Sequence, residues 1–80
     1  MSEPAKSKID LYVAYRIRDL RKEKKMTQLT LAVEIGVSHA FIGQVEDPKH
    51  KSRYNLIHLN KIAQALGCSP KEFLPDTPIL

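Results

Sequence analysis

Eighty residues suffice for one small domain, and no separate catalytic domain is expected within them. Thirteen Lys and Arg against nine Asp and Glu give a net charge of +4 and a pI near 9.4, a balance that suits a polyanionic partner without requiring one. The single Cys68 excludes an internal disulfide and is too little for a zinc site.

No apolar run approaches the ~20 residues needed to span a bilayer, so no membrane partner is expected. The polar start from Met1 to Lys8 lacks the apolar core of a signal peptide, and a cytoplasmic location is the default expectation. Residues 1–6, with Pro4 as a breaker, read as a flexible lead-in, residues 7–75 as the domain, and residues 76–80 as an extended tail. Ser7 followed by Asp10 resembles a capping box with a shorter acid. From there Ile9, Val13, Ile17 and Leu20 step by four, four and three, the spacing of a long amphipathic helix. Lys22, Lys24 and Lys25 fall in its last turn, where cations suit the negative end of the helix dipole; a solvated helix end is preferred there over DNA contact. Met26 points inward at the close of this helix.

Thr27 caps a second helix beginning at Gln28, with Leu31, Ala32 and Ile35 on one face. Leu29 and Val33 fall on its outer face, either as a contact surface or, preferably, as individually tolerated aliphatics. Gly36 can take the left-handed conformation that ends a helix, and Ser38 is an N-cap for a third running His39 to Glu46. Ile42 and Val45 face inward there, and Ala32 is small enough for two helices joined by so short a turn to cross closely. The pattern is a helix-turn-helix, whose second helix lies in the DNA major groove.

Asp47-Pro48 ends this third helix, because proline lacks an amide donor and restrains the residue before it. A basic loop, Lys49 to Tyr54, follows. Asn55 is an N-cap for a fourth helix with Leu56, Leu59, Ile62, Ala63 and Leu66 on one face, Ile57 pointing away, and Gly67 as terminator. Ser69-Pro70-Lys71-Glu72 reads as a fifth helix start, after which Phe73 and Leu74 plug the core.

The run Gln28, Ala32, Gly36, Val37, Ile42, Val45 and Glu46 resembles the Cro-like phage-repressor helix-turn-helix family, in which residues of these types recur at these spacings. The resemblance covers roughly Val13 to Leu74. It implies an all-α, compact, five-helix lambda-repressor-like DNA-binding domain. It also implies an ion pair between Arg21 and Glu46, whose fork and carboxylate suit bidentate pairing, and a phosphate or supporting role for Gln28. The chain departs from the family after Glu46, where many members have one residue and then glycine, and its loop is a residue or two longer. That departure leaves the register of phosphate contacts open.

On the third helix Ser38, His39, Ala40 and Gln44 are the candidates for base readout: glutamine can pair bidentately with adenine, histidine can donate to guanine or phosphate, and alanine offers a methyl to thymine. Gly43 gives clearance for close approach, at a cost of up to ~1 kcal/mol against alanine. Lys49, Lys51 and Arg53 are the candidates for phosphate contact. Phe41 either packs between helices or meets a thymine methyl, and packing is preferred. His39, His50 and His58 share no helix turn, so neither metal nor cofactor is expected, and no nucleophile, base and acid converge into a catalytic site. No small-molecule ligand is evident. The resulting expectation is a sequence-specific transcriptional regulator, acting by operator occlusion and dimeric on a two-fold symmetric site through Leu74, Ile79 and Leu80. The rival is an antitoxin-type module that neutralises a partner toxin and binds its own operator.

Overall fold

The computed structural model describes residues 5–80 and, among them, all regular structure is helical. Helix α1 spans Lys8–Glu23, α2 Gln28–Ile35, α3 His39–Glu46 and α4 Leu56–Leu66, followed by a 3₁₀ turn at Pro70–Phe73. The all-α class is as expected. The fifth helix, however, is a single 3₁₀ turn: Pro70 begins it, and Leu74, which precedes Pro75, is held in extended backbone.

Side-chain caps begin each helix and leave little ambiguity in its start. The Ser7 hydroxyl accepts from the Asp10 amide at 3.2 Å, Thr27 from Thr30 at 3.0 Å and Ser38 from Phe41 at 3.1 Å. Each satisfies one of the donors that a helix N-terminus leaves without an internal partner. Gly36, at φ +74°, ends α2 in the left-handed region and turns the chain directly into α3. Ala32 is fully buried where α2 meets α3, as the short turn demands.

Helix α1 ends earlier than its lysines imply. Lys24 is already the cap, and Lys25 lies at φ 55°, a conformation that costs a residue with a Cβ ~1–2 kcal/mol. The tight reversal is held from both sides: the Met26 amide donates to the Arg21 carbonyl at 3.0 Å, and the Arg21 guanidinium donates back to the Met26 carbonyl at 2.8 Å.

The core lies where the four helices and the 3₁₀ turn meet. Ile17, Leu31, Ile35, Ile42, Val45, Ile62, Leu66 and Phe73 are the largest of the fully buried side chains. Two assignments need correction. Leu56, placed on the apolar face of α4, is 80% exposed, because at the first helical position it stands ahead of the turn that reaches the core. Leu74 is 44% exposed; Phe73 fills the core alone, and its neighbour in extended backbone points elsewhere. Ile57 is exposed as expected, and so are Leu29 and Val33. Residues 75–80 take no regular structure. Of the expected lead-in, residues 1–4 lie outside the described residues. Lys6 contradicts it, being only 2% exposed.

Phe41 packs between helices: its ring lies 5.0 Å from His58 and 6.0 Å from Tyr54, which itself stands 5.9 Å from His58. His58 also closes a capping box on α4. Its amide donates to Asn55 Oδ1 at 2.9 Å, and its Nδ1 accepts from the Asn55 amide at 3.0 Å. That second bond requires neutral imidazole. Burial holds His58 below the ordinary histidine value, and Lys61 pushes it the same way. The contribution of the box is therefore complete above the unfolded-chain value of about 6.5 and is lost as pH falls through the lowered folded value. His58→Gln keeps an acceptor for the box and removes the titration. Urea unfolding at about pH 7.5 and about pH 5.5 should show a smaller acid loss of stability in the variant than in the wild type. All other residues are common to both proteins and set the background.

Candidate nucleic-acid interface

Helix α3 has only eight residues, too few to be stable by propensity alone. It is held by Ile42 and Val45 on its inner face and by a polar grip on its last residue. Arg21 Nε donates to Glu46 Oε2 at 3.1 Å and Nη2 donates to Oε1 at 2.9 Å, a bidentate pair whose side chains are 7% and 8% exposed. This is the pair implied by the family resemblance. Gln28 Nε2 adds a third bond, to Glu46 Oε1 at 3.1 Å. One carboxylate thus ties the end of α1 and the start of α2 to the end of α3. Tyr54 lies within the same electrostatic environment: burial, reinforced by the Glu46 carboxylate, raises its phenol well above the usual value, while Arg21 opposes.

The outer face of α3 carries the residues singled out for base readout. Ser38, His39 and Ala40 are exposed at its N-terminal end, although the Ser38 hydroxyl also serves as the cap. Gln44 lies one turn on and is half-buried, its Oε1 accepting weakly from Ser52 Oγ at 3.4 Å. Gly43 sits beside Gln28: a Cβ built there would lie 3.7 Å from Gln28 Oε1, an ordinary contact. Gln28 itself is turned inward to Glu46, so its polar end supports α3.

The loop after α3 brings Lys49, Lys51 and Arg53 to the surface. Arg53 comes within 3.9 Å of Asp10 Oδ2 in the first turn of α1, a pair too exposed to hold it tightly. The loop is shaped by its own side chains. Asp47 Oδ1 accepts from the Lys49 amide at 2.9 Å, and His50 Nδ1 accepts from the Ser52 amide at 3.0 Å.

Three residues escaped sequence reasoning. Ser52 meets Gln44 across the loop, and Tyr54 roofs the aromatic cluster; neither carries a periodic signal. Lys6 donates from Nζ to the Gln44 carbonyl at 2.9 Å, to the Val45 carbonyl at 2.7 Å and to the Asp47 carbonyl. Burial lowers its pKa, with the Asp47 and Asp10 carboxylates opposing. The one available hint was negative: α3 ends without the glycine that ends α2 and α4.

The Helix-turn-helix family matches residues 17–73, and the chain belongs to it. It is 34% identical over 70 residues to an uncharacterized HTH-type transcriptional regulator of Sinorhizobium fredii, covering 88% of this chain and 48% of that one. It is 39% identical over 57 residues to the immunity repressor protein of Bacillus phage phi105, covering 69% of this chain and 37% of that one. The chain thus spans half or less of the length of these relatives. Among solved structures it is similar to the restriction-modification controller protein C.AhdI of Aeromonas hydrophila, with a TM-score of 0.70, 31% identity, and coverage of 80% of this chain and 94% of that one.

Because the Arg21–Glu46 pair is buried, removing one partner strands the other. Glu46→Ala should destabilise by ~3–5 kcal/mol, whereas Arg21→Met with Glu46→Leu should recover much of that loss. Urea unfolding of the single and double variants measures the difference. Equal losses in both would mean that the charges do not act as a pair.

Proposed function

We propose that this member of the helix-turn-helix family binds double-stranded DNA sequence-specifically and regulates transcription as a repressor, by occluding an operator in the cytoplasm. Residues 7–75 form the DNA-binding unit in this reading. The observation that carries it is the outer face of α3, fixed at its end by Arg21, Gln28 and Glu46 and flanked by exposed Lys49, Lys51 and Arg53. The regulator and the repressor among its relatives support the same reading.

With α3 in the major groove, Ser38, His39 and Ala40 meet base edges at its N-terminal end, and Gln44 reads a base one turn further on. Gln44 gives up only the weak 3.4 Å contact with Ser52 to do so. Gly43 lets the helix approach closely. Lys49, Lys51 and Arg53 take phosphates, for which Arg53 exchanges an exposed carboxylate partner for a phosphate oxygen. Gln28 acts through Glu46, supporting α3 from within.

One such unit buries only ~600–1,000 Å² on DNA, so we assign a homodimer on a two-fold symmetric site. The apolar groove lined by Leu56, Ile57, Leu59, Asn60, Pro70 and Leu74 is the contact, and Ile79 and Leu80 of the tail are the further apolar residues offered to it. Leu56, Ile57 and Leu74 are all exposed in the single chain, which gives them apolar area to bury. Ile57→Lys should shift sedimentation towards monomer without unfolding the domain. A wild-type protein that stays monomeric both free and on a symmetric duplex would refute the assignment.

Base and phosphate roles separate experimentally. With a duplex selected from random sequence and a scrambled one, Gln44→Ala should relax preference at one position per half-site by ~1–3 kcal/mol. Lys51→Ala or Arg53→Ala should weaken both duplexes alike, each flattening the slope of log affinity against log salt by ~0.9. If Gln44→Ala weakened both equally, α3 would not be the reading helix. No wild-type preference at any salt would end the regulator reading.

A further inference from the structure

We infer that Lys6 is a positioning residue for DNA binding: it caps the C-terminus of α3 in place of a glycine and sets the orientation in which α3 and the 47–53 loop meet the duplex. The inference rests on the DNA-binding role assigned above, but its structural half can be read without DNA.

The need for such a cap follows from local chemistry. Helix α2 ends on Gly36 at φ +74° and α4 on Gly67 at φ +70°, and in both the left-handed residue and its successor donate amides to the last carbonyls. Helix α3 cannot end this way. Asp47 precedes a proline and stays extended at φ −89° and ψ 115°, and Pro48 has no amide to give. Only the Asp47 amide reaches back, to the Gln44 carbonyl at 3.2 Å.

Lys6 supplies what is missing. Its three contacts, to the carbonyls of Gln44, Val45 and Asp47, match the three donors of an ammonium group, and the residue is 2% exposed. A cation at this end also complements the α3 dipole. Ser7, the next residue, is the N-cap of α1, so the bond fastens the start of α1 to the end of α3. Arg21 fastens the other end of α1 to Glu46. Two grips from one helix define both the position and the tilt of α3, and a single grip leaves it a pivot.

The carbonyls that Lys6 holds belong to the turn that carries Gln44 and to Asp47, from which the basic loop departs. Loss of the cap therefore acts on groups that touch DNA without Lys6 touching it. This separates its role from that of a phosphate-binding lysine, whose loss would flatten the salt slope.

The test has two arms. In the free protein, amide hydrogen exchange is compared in wild type and Lys6→Met, at a temperature where both are folded. Exchange at Asp47 and His50, whose amides donate within this turn, should accelerate about tenfold or more, while buried amides of α2 and α4 change far less. On DNA, the preference of Lys6→Met for the selected over the scrambled duplex should fall by about tenfold, at an unchanged salt slope. Lys6→Arg, which keeps charge and donors, should restore much of both. Should Lys6→Met fail to fold, Lys6→Gln takes its place in both arms.

A salt slope flattened by ~0.9 with equal weakening on both duplexes would make Lys6 a phosphate contact and overturn the inference. Faster exchange with unchanged preference would make the cap merely structural and overturn it too, as would no change in either arm. Absence of any preference in the wild type would instead strike the DNA-binding reading, with the exchange result still reporting whether the cap exists.

Discussion

The carboxylate of Glu46 is the point on which the arrangement of this domain depends. An eight-residue helix with two fully buried aliphatics has little to hold it, and rotation about its own axis would change every side chain it presents. Glu46 stops that rotation by accepting from Arg21 and Gln28, residues on two different helices. Desolvating both charges offsets much of what their attraction contributes. The larger consequence is geometric, because a bidentate pair tolerates only a narrow range of relative positions.

This division of labour runs through the whole motif. The inner side of α3 is spent on Ile42, Val45 and Glu46, the last bonded to Arg21 and Gln28. Its outer side is left polar, small and only weakly bonded, as at Gln44 and Ser52. Rigid support beneath and loosely committed groups above is what a reading surface requires, since a side chain already satisfied by strong partners has little to exchange for a base.

How much of this was legible depended on the range of the interaction. Helix starts were read correctly at Ser7, Thr27, Ser38 and Asn55, because a cap and its amide lie three residues apart and the chemistry is entirely local. Gly36 and Gly67 were legible for the same reason. Arg21–Glu46 spans 25 positions and came only from family resemblance. Lys6, 38 to 41 positions from its acceptors, was lost altogether, since backbone carbonyls have no residue type to recognise. The 3₁₀ turn, exposed Leu74 and exposed Leu56 were missed on another ground. Periodicity assigns a face, but it does not say how many turns the neighbouring element covers. The capping role of His58 is not legible either, because it stands in the box where Glu or Gln is the familiar partner.

Gly43 shows where explanation from the fold stops. Glycine in a helix interior costs up to ~1 kcal/mol against alanine, and in so short a helix that is a large fraction of what holds it. Glycine can be required by a positive φ or by a neighbour too close for a Cβ. Neither applies: Gly43 is helical, and an added Cβ would meet only Gln28 Oε1, at 3.7 Å. Nothing among the described residues demands the missing methyl. In the DNA-binding reading proposed above, the outer side of α3 between Ala40 and Gln44 is where the missing side chain counts, since it admits a partner closer to the helix backbone than any other residue would allow. A major groove read at close range would be such a partner, and in that reading the cost of Gly43 to the free helix is one that binding offsets.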